Sequence, residues 1–349
     1  MKKWCGICRL GSLGDNLIVS SVLPLLKGQG YMVEVMAQEP CHVVFENNPY
    51  IDKLTVLNKQ DLPDNNADWQ KYFVGRSHEY DKFYHLSHSI ESHVAFHPDS
   101  TWFWWSDTYR RQLANKSYLA LTHDICELPH EFAPEFFPTE EERDKALETK
   151  EKIGPRFIAW VIAGSRLDKL YPYSAMAVAR LIVETGLPVV MMGGTPKEFE
   201  AAESIMEHVG RQNGTTDGLH LAMNMVEGEN LWPLRRSLTF IQYADLVISP
   251  DTGLAWGVAS KPMPKIILLG HASPYNITHG WVNAVTLHAD QERVSCYPCH
   301  RLHDETSTCV PNKENNGAAC ISDISVEDIL SRSKECLAHN TSSLPTLRS

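Results

Sequence analysis

The sequence predicts an α/β protein of two doubly wound domains, each a parallel sheet with helices on its faces. Three observations support this prediction. Apolar runs typical of strands alternate with segments of helical spacing over 2–58 and again over 156–270. The connections between these runs are long enough for right-handed parallel crossovers. The length of 349 residues suits two domains of roughly 100–200 residues each.

In the first half, strand and helix signals follow each other in the order β-α-β-α-β. The predicted strands are KKWCGICRL at 2–10, YMVEVMA at 31–37 and DKLTVLN at 52–58, with a further strand, DKFYHL, at 81–86. Helices are predicted at 15–26 and 40–47, from their apolar spacing. A helix at 138–154 has a capping threonine, an acidic first turn and a terminal glycine, and we place the domain boundary after it.

The second half repeats this alternation. Its predicted strands are RFIAWVIAG at 156–164, LPVVMMGG at 187–194, ADLVIS at 244–249 and KIILLG at 265–270. Its predicted helices are 173–185, 196–209, 231–243, 252–259 and 322–338. The predicted organisation is therefore a first domain at 1–153, a second at 154–321, a C-terminal helix at 322–338 and a flexible tail at 339–349.

The composition restricts the function classes. The formal net charge is −11, which argues against binding along a nucleic-acid backbone, because such proteins are usually basic. No apolar run reaches the roughly 18 residues of a membrane-spanning helix. The N-terminal MKKWCGICRLG lacks the apolar segment of a secretory signal, so we expect a cytoplasmic protein. In a reducing cytosol, its nine cysteines are expected to be free or metal-bound.

Four glycine-bearing turns follow predicted strands. They are GSLGD at 11–15, AGSRLDK at 163–169, GGTPKE at 193–198 and SPDTGLA at 249–255. Each places main-chain N–H groups near a helix N-terminus, which binds phosphate. Together they indicate a nucleotide or phosphorylated ligand, although any one of them also fits an ordinary tight turn. None is a G-x-G-x-x-G or Walker sequence, which argues against a nicotinamide oxidoreductase or a phosphate-loop NTPase.

Two of these turns carry side chains suited to a diphosphate. Ser165, Arg166 and Lys169 combine a hydroxyl with two cations, which can bind and neutralise a pyrophosphate. Asp251 begins the next helix either as a simple N-cap or as part of a phosphate site. In the second reading, the main-chain N–H groups of Thr252 and Gly253 reach the phosphate.

The first turn places one carboxylate, Asp15, at the mouth of a helix. It is either an N-cap or a general base that takes a proton from an acceptor hydroxyl. Partial burial would suit the second role, because it raises the pKa of a carboxylate. Gly11 and Gly14 would then let the main chain approach the reacting group of the ligand closely.

Taken in order, these segments resemble the heptosyltransferase-type glycosyltransferases, glycosyltransferase family nine. The resemblance runs from about residue 7 to 337. It rests on RLGSLGDNLIVSSVLPLLK, NNPYIDKL at 47–54, IAGSRLDKLYP, GLPVVMMGGTPKE and ADLVISPDTGLAWGVAS. It implies a GT-B fold, in which two Rossmann-like domains face each other across a cleft. The first domain would bind the acceptor and the second the nucleotide-sugar donor, and the C-terminal helix would cross back to the first domain.

The resemblance also implies roles for individual residues. Asp15 falls on the family's general base, and Lys169 on the cation that assists the departing diphosphate. The residues implied in donor binding are Arg9, Gly14, Gly164, Ser165, Arg166, Gly194, Glu198, Asp251, Thr252 and Gly253. Among them, Glu198 would meet the ribose or the base.

Two positions depart from the family's pattern. Trp256 stands where the family usually has a histidine, three residues after the D-T-G glycine. LGHASPYN at 269–276 replaces the family's F/Y-G-P-T-D-P turn. Both positions lie near the donor in the family, so the donor sugar is not assigned to ADP-heptose.

The resemblance implies an inverting, metal-independent transfer of a sugar from a nucleotide-diphosphate sugar to an acceptor hydroxyl, and we expect a saccharide or glycolipid acceptor. It also implies that catalysis requires no cofactor. Two alternatives remain open. The same fold would glycosylate a modified nucleobase of DNA, or the chain would be a non-catalytic nucleotide-sugar-binding protein.

Two further clusters attract metal hypotheses. Cys296, Cys299, Cys309 and Cys320 form C-x₂-C-x₉-C-x₁₀-C, which either holds a structural zinc or stabilises a loop. Residues His85, His88, His93 and His97 lie in a segment rich in aromatic residues, and we expect acceptor or packing roles for them instead of metal binding. The TWFWW run at 101–105 is expected in the core; if exposed, it would stack on a sugar or a base.

Overall fold

The computed structural model describes residues 2–58, 60, 62–63, 66–87, 101–162, 166–223, 232–300, 302 and 309–342. The chain divides into two compact units. The first consists of Met1–Thr139 together with Tyr275–Gly280, and the second of Glu140–Pro274 together with Trp281–Ser349. Within the described ranges, none of the helices combines the length and the apolar character that a membrane span requires.

The first unit is built on a four-stranded parallel sheet. Its strands are β1 (Lys3–Arg9), β2 (Tyr31–Gln38), β3 (Lys53–Leu57) and β4 (Lys82–His85). They lie in the order β3-β2-β1-β4, and each neighbouring pair is parallel. Central β1 is buried from Cys5 to Arg9, which is typical of a strand covered on both faces of a parallel sheet. The four predicted strands are confirmed.

The helices of the first half begin directly after β1. They are α1 (Leu13–Ser20), α2 (Leu23–Gly28), α3 (Asn66–Ser77), α4 (Asp107–Ala114) and α5 (Tyr118–Ile125). The prediction of one helix over 15–26 is wrong, because α2 starts afresh with Pro24 in its first turn. Proline has no N–H to donate and its ring crowds the preceding turn, so a continuous helix cannot pass through it undisturbed. The helix predicted at 40–47 is a 3₁₀ helix at Cys41–Phe45.

The second unit contains a six-stranded parallel sheet. Its strands are β5 (Ile158–Val161), β6 (Val189–Gly193), β7 (Leu219–Met223), β8 (Leu246–Pro250), β9 (Lys265–Leu269) and β10 (Ala284–His288). The order β10-β9-β8-β5-β6-β7 is that of a Rossmann sheet. Ligands of such sheets bind beyond the carboxyl ends of the strands where the chain order reverses, here β5 and β8. In the first unit the order reverses at β1 and β4.

The remaining helices cover the second half of the chain. They are α6 (Glu140–Ile153), α7 (Ser174–Thr185), α8 (Pro196–Asn213), α9 (Leu234–Phe240), α10 (Gly253–Trp256), α11 (Pro274–Ile277), α12 (Ala319–Ser322) and α13 (Val326–Ser342). The sequence placed α6 in the first domain, but it belongs to the second unit. Arg235 of α9 holds it there through a two-pronged ion pair with Glu142, at 2.6 and 2.7 Å.

The C-terminal helix α13 packs on α7 and on strands β8, β9 and β10 of the second unit. Its end at residue 342 lies a few residues beyond the predicted end at 338. Crossing of this helix to the first domain stays a prediction.

One short segment of the second half belongs to the first unit. Tyr275–Gly280 follows β9 in the chain but packs with residues from the first half. Asn276 is almost completely buried, and its Nδ2 donates to the carbonyl oxygens of Ala114, at 2.7 Å, and Lys116, at 2.8 Å. The chain therefore passes between the two units three times, after residues 139, 274 and 280.

A buried lysine fixes the loops around the start of β9. Lys265 is inaccessible to solvent, and its Nζ donates to the carbonyl oxygens of Lys261, Met263 and Val282 at 2.6–2.9 Å. Burial lowers the pKa of Lys265 to about 8. The ammonium therefore joins the loop of residues 261–263 to Val282, at the cost of losing its hydration.

We expect Lys265→Met to lower the free energy of unfolding by about 2–4 kcal/mol. Three carbonyl groups lose their donor, at about 1–3 kcal/mol each, and removal of the buried charge offsets part of this loss. Urea unfolding at pH 7 measures the difference. Lys152→Met, at an exposed position on α6, is the control and should change the stability by less than about 0.5 kcal/mol. Equal stabilities of the two variants would contradict the assigned role of Lys265.

Candidate functional site

In the first unit, an arginine and an aspartate meet at the carboxyl end of β1. Arg9, the last residue of this strand, is 2% exposed. Its Nη2 lies 2.9 Å from Asp15 Oδ1, and its Nη1 donates to the carbonyl oxygen of Leu86 at 3.2 Å. The Asp15 side chain keeps one third of its surface exposed. The carboxylate is thus held by a buried cation and remains reachable from solvent.

The turn between β1 and α1 explains why this carboxylate is fixed. The N-cap of α1 is Ser12, and Asp15 is the third residue of the helix. Its Oδ2 accepts hydrogen bonds from the main-chain N and the Oγ of Ser12, both at 2.8 Å. A Cβ on Gly11 would lie 2.7 Å from this oxygen, so a larger residue 11 would displace the carboxylate from its position over the turn. Gly11 therefore makes room for Asp15, and Gly14 is buried within α1. The close approach of the main chain to a bound ligand at these two glycines stays a prediction.

In the second unit, Lys169 joins the loops that follow β5 and β8. Its Nζ donates to the carbonyl oxygen of Asp251 at 2.7 Å and to Asp251 Oδ2 at 3.0 Å. The other carboxylate oxygen, Oδ1, accepts from Trp256 Nε1 at 3.0 Å. Burial alone would raise the pKa of Asp251, but the charge of Lys169, with His271 and the Trp256 N–H, lowers it. The pair lies where the strand order reverses, which is the expected ligand position of such a sheet.

A second carboxylate, Asp168, fixes the other cation of this loop. It is 1% exposed, and its Oδ1 accepts from Arg166 Nε at 3.0 Å. Its Oδ2 lies 2.7 Å from His271 Nδ1, but the two groups lack the geometry of a regular hydrogen bond. The contact between them is therefore electrostatic. Burial alone would raise the pKa of Asp168, but His271 and Arg166 outweigh it and lower the pKa. Among the described residues, Arg166 Nη2 has no hydrogen-bond partner.

The loop of residues 166–169 also rests directly on β9. A Cβ on Gly270 would collide with the carbonyl oxygen of Asp168, so glycine is needed for this close approach. His271 follows at once and is buried, and burial lowers its pKa. Asp168 and His271 are not among the predicted site residues. Asp168 lies in the glycine-bearing turn AGSRLDK, and His271 lies in the divergent segment LGHASPYN. A sequence does not show that these two segments touch.

The D-T-G segment uses its threonine as the helix cap. Thr252 is the N-cap of α10, and its Oγ1 accepts from the main-chain N of Ala255 at 3.4 Å. The reading of Asp251 as a simple N-cap is therefore wrong, because the carboxylate lies one residue earlier and faces Lys169. Gly253 is the first residue of the helix. Its predicted contact with a ligand phosphate stays a prediction, as does that of Thr252.

Glu198 closes the cap of α8. Its Oε2 accepts from the main-chain N of Gly194 at 2.7 Å and of Thr195 at 2.8 Å. These bonds explain why an acidic residue stands three positions after Thr195. Contact of Glu198 or Gly194 with the ribose or base stays a prediction. Gly164 and Ser165 lie outside the described residues.

The four cysteines of the predicted zinc site influence one another electrostatically, and none of them forms a disulfide bond. Burial raises the pKa of Cys309 and Cys320, and charge on Cys296 and Cys299 contributes to both shifts. In the part of the chain that the structure describes, no three His, Cys, Asp or Glu side chains converge so that they could hold a metal ion. Zinc at this cluster stays a prediction.

The aromatic segment of the first unit is only partly as expected. His85 packs against Phe73, with ring centroids 3.9 Å apart, whereas His88, His93 and His97 lie outside the described residues. The prediction that the TWFWW run is core is wrong for two of its tryptophans. Trp104 is 79% exposed and Trp105 is 44% exposed.

Comparison with solved structures identifies similar folds over nearly the whole chain. A glycosyltransferase family 9 protein from Veillonella parvula aligns with a TM-score of 0.69 and 16% identity, covering 97% of this chain and 98% of that one. The ADP-heptose lps heptosyltransferase II of E. coli aligns with a TM-score of 0.65 and 16% identity, covering 97% and 99%. At these identities the likeness is one of fold, and it establishes the GT-B fold of two Rossmann-like units.

A third similar structure is the iron-containing dodecameric glycosyltransferase TibC of enterotoxigenic E. coli. It aligns with a TM-score of 0.55 and 12% identity, covering 95% of this chain and 77% of that one. None of the curated proteins compared matches the chain.

The family comparison is more specific. The model of glycosyltransferase family 9 (heptosyltransferase) matches residues 100–308, which is more than half of the chain. This range includes the Lys169–Asp251 pair and both loops that carry it. The chain therefore belongs to glycosyltransferase family 9 and is a heptosyltransferase-like glycosyltransferase.

Proposed function

We propose that this protein transfers a sugar from a nucleotide-diphosphate sugar to an acceptor hydroxyl, with inversion at the anomeric carbon and without a catalytic metal. The observation that supports this most is the pair of fixed cations, Lys169 and Arg166, beyond the carboxyl ends of β5 and β8. Among the described residues, the acceptors of Lys169 Nζ are two oxygens of Asp251, which leaves a third N–H donor for a ligand. Arg166 Nη2 is buried and has no hydrogen-bond partner among the described residues.

The side chains of this site that would bind a diphosphate carry both positive and negative charges. Arg166 and Lys169 carry two positive charges, and Asp168 and Asp251 carry two negative ones. The sum is zero, so the attraction depends on oriented N–H donors more than on net charge. Oriented donors that are already in place stabilise a departing diphosphate without reorganisation, which is an efficient form of catalysis.

In the proposed reaction, Asp15 is the general base. It accepts the proton of the acceptor hydroxyl while the hydroxyl oxygen bonds to the anomeric carbon. The bond from that carbon to the diphosphate oxygen breaks, and the electron pair leaves with the nucleoside diphosphate. Lys169 and Arg166 stabilise the new charge. Partial exposure of Asp15 and its fixed position beside Arg9 support this role.

We place a saccharide or glycolipid acceptor in the first unit, which carries Asp15. The exposed rings of Trp104 and Trp105, in the same unit, offer faces on which a sugar can pack. The donor sugar is open. The name of the similar E. coli structure includes ADP-heptose. In this chain, Trp256 and the 269–276 segment differ from the family's motifs, so ADP-heptose is not assigned as its donor.

A thermal-shift series tests the donor site. ADP, UDP and GDP, with their sugars, are added to the protein in EDTA. A ligand that binds only the native state stabilises it by RT ln(1 + [L]/Kd), which is about 2.7 kcal/mol at 100 times Kd. We expect one base to stabilise the protein and its nucleotide sugar to be consumed in the presence of EDTA. The absence of a shift with every nucleotide, or a strict need for a divalent metal, would contradict the proposal.

A further inference from the structure

A tryptophan holds the carboxylate that in turn holds Lys169. Trp256 Nε1 donates to Asp251 Oδ1 at 3.0 Å, and Lys169 Nζ donates to Asp251 Oδ2 at 3.0 Å. The carboxylate is thus fixed at both oxygens. Nothing in the family's motifs leads to this arrangement, because residue 256 is usually a histidine there and is tryptophan in this chain.

The main chain of Lys169 is already fixed by other contacts. Its N–H donates to the carbonyl oxygen of Arg166 at 3.0 Å, and neighbouring Asp168 is buried against Gly270 and His271. The remaining freedom is that of the lysine side chain, which has four rotatable bonds. Its direction is therefore set by Asp251, and the rotamer of Asp251 by the Trp256 N–H.

The indole of Trp256 cannot easily move away. It is 3% exposed and packs edge-to-face against Trp281, with ring centroids 4.7 Å apart. Trp281 is also buried, but its Nε1 has no hydrogen-bond partner among the described residues. The two neighbouring tryptophans are thus both buried, and among the described residues only Trp256 has a hydrogen-bond partner for its ring N–H.

We propose that Trp256 is a positioning residue, whose N–H orients Asp251 so that Lys169 presents its free N–H to the diphosphate of the donor. This inference rests on the proposed function of the same loop and adds to it a residue that does not touch the donor. Without the N–H, one oxygen of Asp251 is left unpaired in a largely buried place. The carboxylate then turns and its bond to Lys169 Nζ is weakened, so that the ammonium keeps only its bond to the carbonyl oxygen of Asp251 and is less precisely oriented.

The test compares Trp256→Phe with Trp281→Phe. Both substitutions remove a buried indole N–H and a similar volume, but only the first breaks a bond to Asp251. The probe is the nucleoside diphosphate, ADP, UDP or GDP, that stabilises the wild type most, and its Kd is measured by calorimetry. Loss of a hydrogen bond to a charged group changes an equilibrium constant by roughly 10- to 100-fold. We therefore expect the Kd of the diphosphate to rise by roughly that factor in Trp256→Phe and by less than about 3-fold in Trp281→Phe.

A double variant separates positioning from general damage. If Trp256 acts through Lys169, then Trp256→Phe should change Kd by less than about 2-fold in a Lys169→Met background. Should Trp256→Phe not fold, benzothienylalanine at position 256 keeps the two-ring shape and replaces the N–H by sulfur. Equal effects of the two phenylalanine variants, or a full additional loss in the Lys169→Met background, would overturn the inference.

The outcomes also separate this inference from the proposed function. If the wild type binds none of the three diphosphates, the proposed function fails and the inference fails with it. If the wild type binds and Lys169→Met weakens binding, while Trp256→Phe does not, only the role of Trp256 is overturned.

Discussion

We expect Asp15→Asn to bind the nucleotide-sugar donor normally and to transfer sugar roughly 10²- to 10⁴-fold more slowly than the wild type, which is the range for loss of a general base. Asparagine keeps an oxygen that can accept from Ser12 and has nearly the same shape. It cannot accept the proton of the acceptor hydroxyl. The measurement is the single-turnover rate with saturating donor, together with the Kd of the corresponding nucleoside diphosphate.

The control for this variant is Asp52→Asn in the same unit. Asp52 also combines an ion pair, with Lys27 at 2.7 Å, and a bond from a main-chain N–H, that of Val33 at 2.7 Å. Both variants lose a similar ion pair, so a general effect on folding appears in both. Normal turnover by Asp15→Asn, or an equal loss in Asp52→Asn, would remove the assignment of Asp15 as the base.

Lys169→Met should reduce transfer by about 10²- to 10³-fold and weaken the binding of the nucleoside diphosphate. The magnitude is that of removing one oriented donor from a developing negative charge. Methionine retains the length and the apolar stem of lysine, so the loop can keep its packing. The measurements are kcat/KM for the donor and the Kd of the diphosphate.

Its control is Lys334→Met, which removes another lysine–carboxylate pair from the second unit. Lys334 of α13 pairs with Glu184 of α7 at 2.7 Å on an exposed surface. Such pairs contribute about 0–1 kcal/mol, so this variant should transfer sugar like the wild type. A Lys169→Met variant with unchanged kcat/KM would show that the diphosphate is held elsewhere.

Much of the fold follows from the sequence because parallel strands are apolar on both faces. The central strands β1, β5, β8 and β9 are such runs, and all four are predicted. Leu219–Met223 and Ala284–His288, the two edge strands of the six-stranded sheet, are not predicted, because a polar residue interrupts the apolar run of each, His220 in the first and Thr286 in the second. The residues of β10 are only partly buried, so its sequence, AVTLH, need not form a continuous apolar run.

The site is predictable to a different extent. Asp15, Lys169 and Asp251 are found from the order of their turns and from the family resemblance. The contact of His271 with Asp168 is not found, because it depends on which strands are neighbours. The bond from Trp256 to Asp251 is not found either, because it depends on how two side chains of the segment after β8 are directed. β5 lies beside β8 and β8 beside β9, so the loops after these three strands meet. The sequence motifs name the residues of these loops but do not show that the loops lie next to one another.

The burial of Asn276 has a practical consequence for anyone dissecting this enzyme. A recombinant fragment ending at residue 139 would lack the segment Tyr275–Gly280, here called the strap, whose Asn276 binds the carbonyl oxygens of Ala114 and Lys116. These carbonyl oxygens would then lose their hydrogen-bond donor, and the uncovered surface would promote aggregation of the fragment. Protease cleavage at a single connection would not release either half as an intact piece, because two further connections still join them. Dissection should therefore retain the strap, for example by fusing it to the fragment through a flexible linker.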